Sequence, residues 1–398
     1  MFEGIKECAK AAIANDIPVV LGNDVGCPWI TQYDFWRELY YFHKYVGVSN
    51  AFALYTATLN SAVMAGIGNE TGSVEAGKCA DLIVTKNNPL AVHLKGIGLT
   101  MEGAENNPMM FELMCELPWR PEKFTKEEWL KDYLFARYGV RDEKIEKAWT
   151  LLANTIYNCP FGNNQQGPHE SIFCGRPSLN NFQASSWSKM KNYYDPTVTE
   201  EAARLMVEVA DKYRGNNNFE YDLVDIVRQS LSDKGRIVYN RTIADFKSFD
   251  KRSFARDSRK FLDILLLQDK LLGTRSEFRV GRWIEQARNL GTTPEEKDLY
   301  EWNARVQITT WGNRVCADDG GLRDYAHKEW NGILRDFYYK RWAAYWQTLQ
   351  DQLDGKPEVK LDYYAMEESW TLAKNPYSSV PEGSCVDVAK EVFEKAMR

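Results

Sequence analysis

Apolar positions recur at helical spacing along most of this chain. Ile5, Ala9, Ala12 and Ile13 form one stripe, and Asp16-Ile17-Pro18 breaks it. Val19-Val20-Leu21-Gly22 is a short apolar run suited to a buried parallel strand, and it runs into Asn23-Asp24-Val25-Gly26. Residues 53–62 read as helix, as does Met109 to Leu117. Beyond residue 120 little reads as strand. Leu334, Tyr338, Trp342, Tyr345 and Leu349 line one face of a long helix that Gly355 and Pro357 end. Leu299, Trp302 and Val306 repeat the same spacing.

Polar signals mark where helices begin. Thr125 with Glu128 reads as a capping box, and so does Thr197 with Glu200. Thr293-Pro294-Glu295-Glu296 is the clearest start, with an N-cap, a proline at the first helical position and a glutamate at the third. Loops are expected near 160–196 and 312–322, with residues 162–167 exposed.

Composition narrows the class. At 398 residues, 44% apolar and 27% charged, the chain is globular and long enough for two or three domains. Its 13 Trp, 21 Tyr and 18 Phe suit a large core and also surfaces that stack on sugars. A net charge of -6 argues against a general nucleic-acid binder. The eight cysteines are scattered with no C-x-x-C pair, so buried free thiols are expected rather than a disulfide framework or zinc site. There is no apolar signal region in MFEGIKECAKAA and no 18-residue apolar run, so no membrane partner is expected and the chain as written would be cytoplasmic.

Two carboxylates stand at strand exits. Asp24 follows the run Val19–Gly22, where a (β/α)8 barrel presents catalytic groups, although a capping role is equally compatible with the spacing. Glu102 follows Gly96-Ile97-Gly98-Leu99-Thr100 and precedes a helix, and alone it reads as a cap or a surface residue.

Resemblances decide between these readings. TGSVEAGKCADLIV resembles the C-terminal signature of the metal-dependent amidohydrolases, including imidazolonepropionase-like members, and PVVLGNDVG resembles their last barrel strand. That resemblance implies that Asp24 is a family active-site aspartate and that Asp81 is structural. The family also needs a His-x-His pair, whereas His43 and His93 stand in no such motif, so Asp24 is expected to be orphaned, with no metal and no cofactor.

GLTMEGAENNPMMFELMCELPWR resembles the nucleophile region of the α-N-acetylglucosaminidases, glycoside hydrolase family 89. Further blocks follow in that family's order, among them ARYGV, AWTLLANTIYNC, YDLVDIVRQSL, GRWIEQAR, LYEWNARVQITTWG and LRDYAHKEWNGILRDFYYKRW. The resemblance implies retaining hydrolysis of a glycan ending in α-linked N-acetylglucosamine, with Glu102 as nucleophile. It makes Asn106, Asn107, Trp311, Asp324 and Tyr325 candidate substrate-binding residues. The family's acid/base glutamate lies upstream of the matched block, where amidohydrolase-like sequence stands instead.

The expected fold is mainly α, a large α-helical C-terminal domain preceded by α/β fragments of incomplete (β/α)8 barrels. Residues 1–95 form the amidohydrolase-like fragment, 96–119 the glycosidase barrel remnant with Glu102, and 120–398 the helical domain. The expected function is that of an α-N-acetylglucosaminidase-like hydrolase, truncated or fused and with impaired activity. A non-catalytic carbohydrate- or partner-binding helical module and a metal-dependent amidohydrolase fragment are the alternatives. Exposed barrel edges would favour oligomers, and glycosidases of this family are often secreted or lysosomal.

Overall fold

The computed structural model describes residues 2–22, 36–76, 78, 107–117, 123–159, 171–180 and 192–398. Asp24, Asp81, His93, Glu102, Asn106 and the loop 162–167 lie outside them. The chain divides into two compact units, Met1–Glu122 and Lys123–Arg398. Among the described residues there is no β-strand, and an isolated parallel bridge joins Arg279 to Asn331.

The first unit carries helices α1 (Phe2–Ala14), α2 (Trp36–Tyr41), α3 (Asn50–Ala57), α4 (Leu59–Met64) and α5 (Pro108–Glu116). Asp16, in the left-handed region at φ 55°, follows α1. Ser49 starts α3 by accepting from the Phe52 N–H at 3.1 Å. Residues 19–22 are not the expected strand: no neighbouring strand pairs with them among the described residues, and the Val19 carbonyl accepts instead from Asn60 Nδ2 at 2.7 Å. His43 lies in the helical turn after α2, with Nδ1 2.6 Å from the Val48 carbonyl oxygen.

The second unit is helical: α6 (Lys126–Tyr138), α7 (Glu143–Asn154), α8 (Thr197–Val209), α9 (Asn217–Lys247), α10 (Lys251–Leu272), α11 (Val280–Asn289), α12 (Pro294–Gln307), α13 (Tyr339–Leu353), α14 (Tyr363–Leu372) and α15 (Cys385–Met397). The long pair α9 and α10 forms its spine, with α8, α13 and α15 packed against it. The core on that spine is aromatic. Phe261 lies between Phe173 and Trp342, with ring centroids 5.1 and 4.6 Å away, and Trp346 closes the cluster. The stripe predicted on the helix through Trp342 is the face that enters this core: Leu334, Tyr338, Trp342 and Leu349 are buried.

Both boxes at Thr125–Glu128 and Thr293–Glu296 form, each with reciprocal bonds. The third does not. Asp195 Oδ1 accepts from the Thr197 N–H at 2.9 Å, so α8 begins before Thr197 could cap it. The stripe Leu299, Trp302, Val306 also departs from expectation, because Leu299 and Trp302 are exposed while Arg305 on the same helix is fully buried. Among the described cysteines only Cys174 and Cys385 are buried as expected; Cys8, Cys115, Cys159 and Cys316 are exposed. No described helix is long and apolar enough to cross a membrane.

Candidate functional site

Helix α12 ends in a turn that builds an unusual corner. The Trp311 N–H reaches back to the Val306 carbonyl at 2.8 Å, and this closure sets Trp311 at φ 61°. Asp324 at φ 55° and His327 at φ 34° share the left-handed region, where a side chain other than glycine's costs on the order of 1–3 kcal/mol. Asp324 is tied to the first turn residue by its own N–H, which donates to the Thr309 carbonyl at 2.8 Å. The result brings Trp311 edge-on to Tyr325, with ring centroids 5.1 Å apart. The Trp311 ring stays 41% exposed.

A charged network supports the corner from inside. Asp324 is fully buried, and its Oδ2 accepts from Arg341 Nη1 at 2.9 Å. The same nitrogen donates to Glu367 at 2.6 Å, while Arg341 Nη2 donates to the Cys174 carbonyl at 2.6 Å. Arg176 grips Glu367 with two bonds of 2.8 and 2.6 Å and reaches Asp318 at 2.5 Å. Burial pushes the Asp324 carboxyl up to about 6, against the opposing pull of Arg341. The carboxylates Asp324 and Glu367 hold the Arg341 guanidinium charged despite its burial.

Arg305 is a second internal anchor. It bonds Glu301 at 2.7 Å and the Asn375 carbonyl at 2.9 Å, with its guanidinium 4.9 Å from the Trp370 ring centre. It thereby holds the end of α12, from which Trp311 departs, against α14. Arg341, Glu367, Arg176 and Arg305 were not singled out from sequence. A readable signal did exist for Arg341: it sits at helical spacing between Tyr338 and Trp342 on an apolar face.

Of the residues anticipated from sequence, Trp311, Asp324 and Tyr325 thus meet in one place. Asn107 belongs to the first unit, where its Oδ1 accepts from the Met109 N–H at 3.0 Å and caps α5. Asp24, Glu102 and Asn106 fall outside the described residues. Among the described residues no group of three or more His, Cys, Asp or Glu is placed to hold a metal ion.

The second unit is an all-helical domain that presents a half-exposed aromatic pair on a strained, ion-braced corner. Residues 129–395 match the α-N-acetylglucosaminidase (NAGLU) C-terminal domain, and the chain belongs to that family. Residues 4–117 match the amidohydrolase family. Human α-N-acetylglucosaminidase is 31% identical over 307 residues, which is 75% of this chain and 40% of the human protein. A family 89 glycoside hydrolase from Clostridium perfringens, solved with 2-acetamido-1,2-dideoxynojirimycin, superposes with a TM-score of 0.70 at 33% identity, over 72% of this chain and 33% of that one. The same figures hold for a variant of the clostridial enzyme with two glutamates changed to glutamine, in complex with its substrate GlcNAc-α-1,4-galactose. The chain therefore spans less than half the length of each of these relatives.

Proposed function

We propose that this chain is an α-N-acetylglucosaminidase-like retaining glycoside hydrolase acting on glycans that end in α-linked N-acetylglucosamine. The observation that carries the reading is the corner: the exposed Trp311 meets Tyr325 ring to ring, with the buried Asp324 beneath them. In this reading the Trp311 face stacks on the sugar's C–H face and Tyr325 borders it. Asp324 acts from below, by holding Arg341 and the turn.

Glu102 is the proposed nucleophile, with Asn106 and Asn107 beside the sugar. The amidohydrolase match reaches residue 117, beyond residue 95. We read residues 1–95 as an amidohydrolase-like barrel fragment, 96–119 as a glycosidase barrel remnant and 120–398 as the helical domain, with oligomers forming through barrel edges.

Retaining chemistry needs two carboxyl groups about 5–5.5 Å apart, one attacking the anomeric carbon and one donating a proton to the leaving oxygen. No residue of this chain is assigned the second role, and a missing general acid costs on the order of 10²–10⁴-fold in rate. That gap favours an alternative in which the corner binds N-acetylglucosamine without turnover. The amidohydrolase match favours another, in which Asp24 completes a metal site with ligands from a second chain.

Hydrolysis of an aryl α-N-acetylglucosaminide by the full chain tests these readings. Turnover that Glu102→Gln abolishes is the expected result. Turnover that survives the substitution would remove Glu102 from the mechanism. Binding of N-acetylglucosamine without turnover would favour the non-catalytic module, and stoichiometric metal would favour the amidohydrolase reading.

A further inference from the structure

Helix α10 and the end of α15 border an open groove of about 460 Å³ that none of the aromatic-corner residues lines. Ala255, Ile264 and Leu267 give it an apolar side. Arg256, Arg259, Lys260 and Lys395 also line it, against the single carboxylate of Asp263. This sign runs against the chain, whose net charge is -6.

The sequence places these cations together for a simple reason. Arg252, Arg256, Arg259 and Lys260 recur three or four residues apart on α10, so they share one face. Existing carboxylates neutralise only part of that face. Arg256 donates to Asp257 at 2.7 Å, and Arg241 binds the same carboxylate. Lys395 pairs with Glu391 at 2.7 Å. Among the described residues Arg259 and Lys260 have no hydrogen-bond or ion-pair partner. Lys260 is half-buried, and burial together with Lys234 and Arg241 pushes its ammonium below the usual range. The fold therefore holds like charges close together with unused donors, an arrangement that an incoming anion relaxes.

We propose that this groove binds an oxyanion, with Arg259 and Lys260 as its principal donors. The chemistry is that of a sulfate or phosphate group, either free or esterified to a small sugar whose C–H face rests on Ala255 and Leu267. Tetrahedral oxyanions suit the combination, since a guanidinium offers a planar fork and an ammonium a point charge.

The test is calorimetric titration of the full chain at low ionic strength with inorganic phosphate, inorganic sulfate, N-acetylglucosamine 6-phosphate and N-acetylglucosamine. The anions are expected to bind in the groove, and binding should weaken as sodium chloride is raised. Tighter binding of the ester assigns the site to a sugar ester, and equal binding assigns it to the free anion. The double substitution Arg259→Glu with Lys260→Glu should weaken binding at least tenfold. The control Lys147→Glu, an exposed lysine on α7, should leave it unchanged. A second readout is the rise in Tm of the unsubstituted protein on adding phosphate, which needs no variant to fold. Absence of anion binding at millimolar concentration, or equal loss in the Lys147 control, would overturn the proposal. Uncharged N-acetylglucosamine is the probe of the corner at Trp311, so failure there and failure here are distinguishable.

Discussion

At the scale of single residues, the corner depends on charges that have left water. Arg341 serves Asp324, Glu367 and the Cys174 carbonyl at once. Replacing it by alanine leaves two buried carboxylates sharing what remains, and breaking such a pair costs about 3–5 kcal/mol. The Arg341→Ala variant is therefore expected to show a sharply lowered urea midpoint, with Arg341→Lys recovering only part of it, because an ammonium cannot reproduce the three-way fork. A midpoint unchanged by Arg341→Ala would mean that the network contributes little. Beyond the helical spacing of Arg341 with Tyr338, the network was not legible in the sequence. Trp311, Asp324 and Tyr325 were marked by their motifs, but burial of an arginine depends on what packs over it, and those partners lie up to 167 positions away.

At the scale of elements, the helix starts were the most readable feature. A capping box is local: its donors and acceptors lie within four residues, so sequence contains all of it. Thr293→Ala should lower stability by about 1 kcal/mol, read as a small shift in urea midpoint with the unit still folded. The box at Thr197 fails for an equally local reason. Asp195, two residues earlier, accepts from both the Thr197 N–H at 2.9 Å and the Thr197 hydroxyl at 2.8 Å, so that hydroxyl is already engaged. The stripe on α12 shows the limit of periodicity. Leu299 and Trp302 have the right spacing, yet they are exposed, and it is the last turn of α12, Ala304, Arg305 and Val306, that is buried. Spacing says which residues share a face, not which face the neighbouring helices cover.

At the scale of the whole molecule, stability should depend on pH through buried acids. Asp233 is buried against neutral donors, Tyr194, Thr199, Asn192 and Gln229, and burial pushes it up to about 6. Its folded pKa exceeds the unfolded value, so the folded state binds the proton more tightly. That stability is fully present below about pH 4 and is lost as pH rises through about 6. Between pH 7 and pH 5 this one group should add about 1 kcal/mol, and Asp324 shifts in the same direction. Urea unfolding is expected to show a higher midpoint at pH 5 than at pH 7, with Asp233→Asn reducing the difference. The exposed carboxylates Asp387 and Glu391, both lowered to about 2 by basic partners, oppose this trend only in stronger acid.

The sequence by itself determined the mainly helical character of the domain after residue 120, the starts of α6 and α12, the two ancestries of the chain, and Trp311, Asp324 and Tyr325 as candidates. These follow from short-range rules and ordered motifs, both written in the order of residues. Tertiary structure alone decided which face of α12 is buried, that Asp324 anchors Arg341 from inside, and that unused cations on α10 line a groove. It also left residues 19–22 without the strand that their apolar run suggested. Each of these depends on a partner distant along the chain. Burial, hydrogen-bond satisfaction and pKa are properties of surroundings, and a residue acquires its surroundings only when the chain has folded.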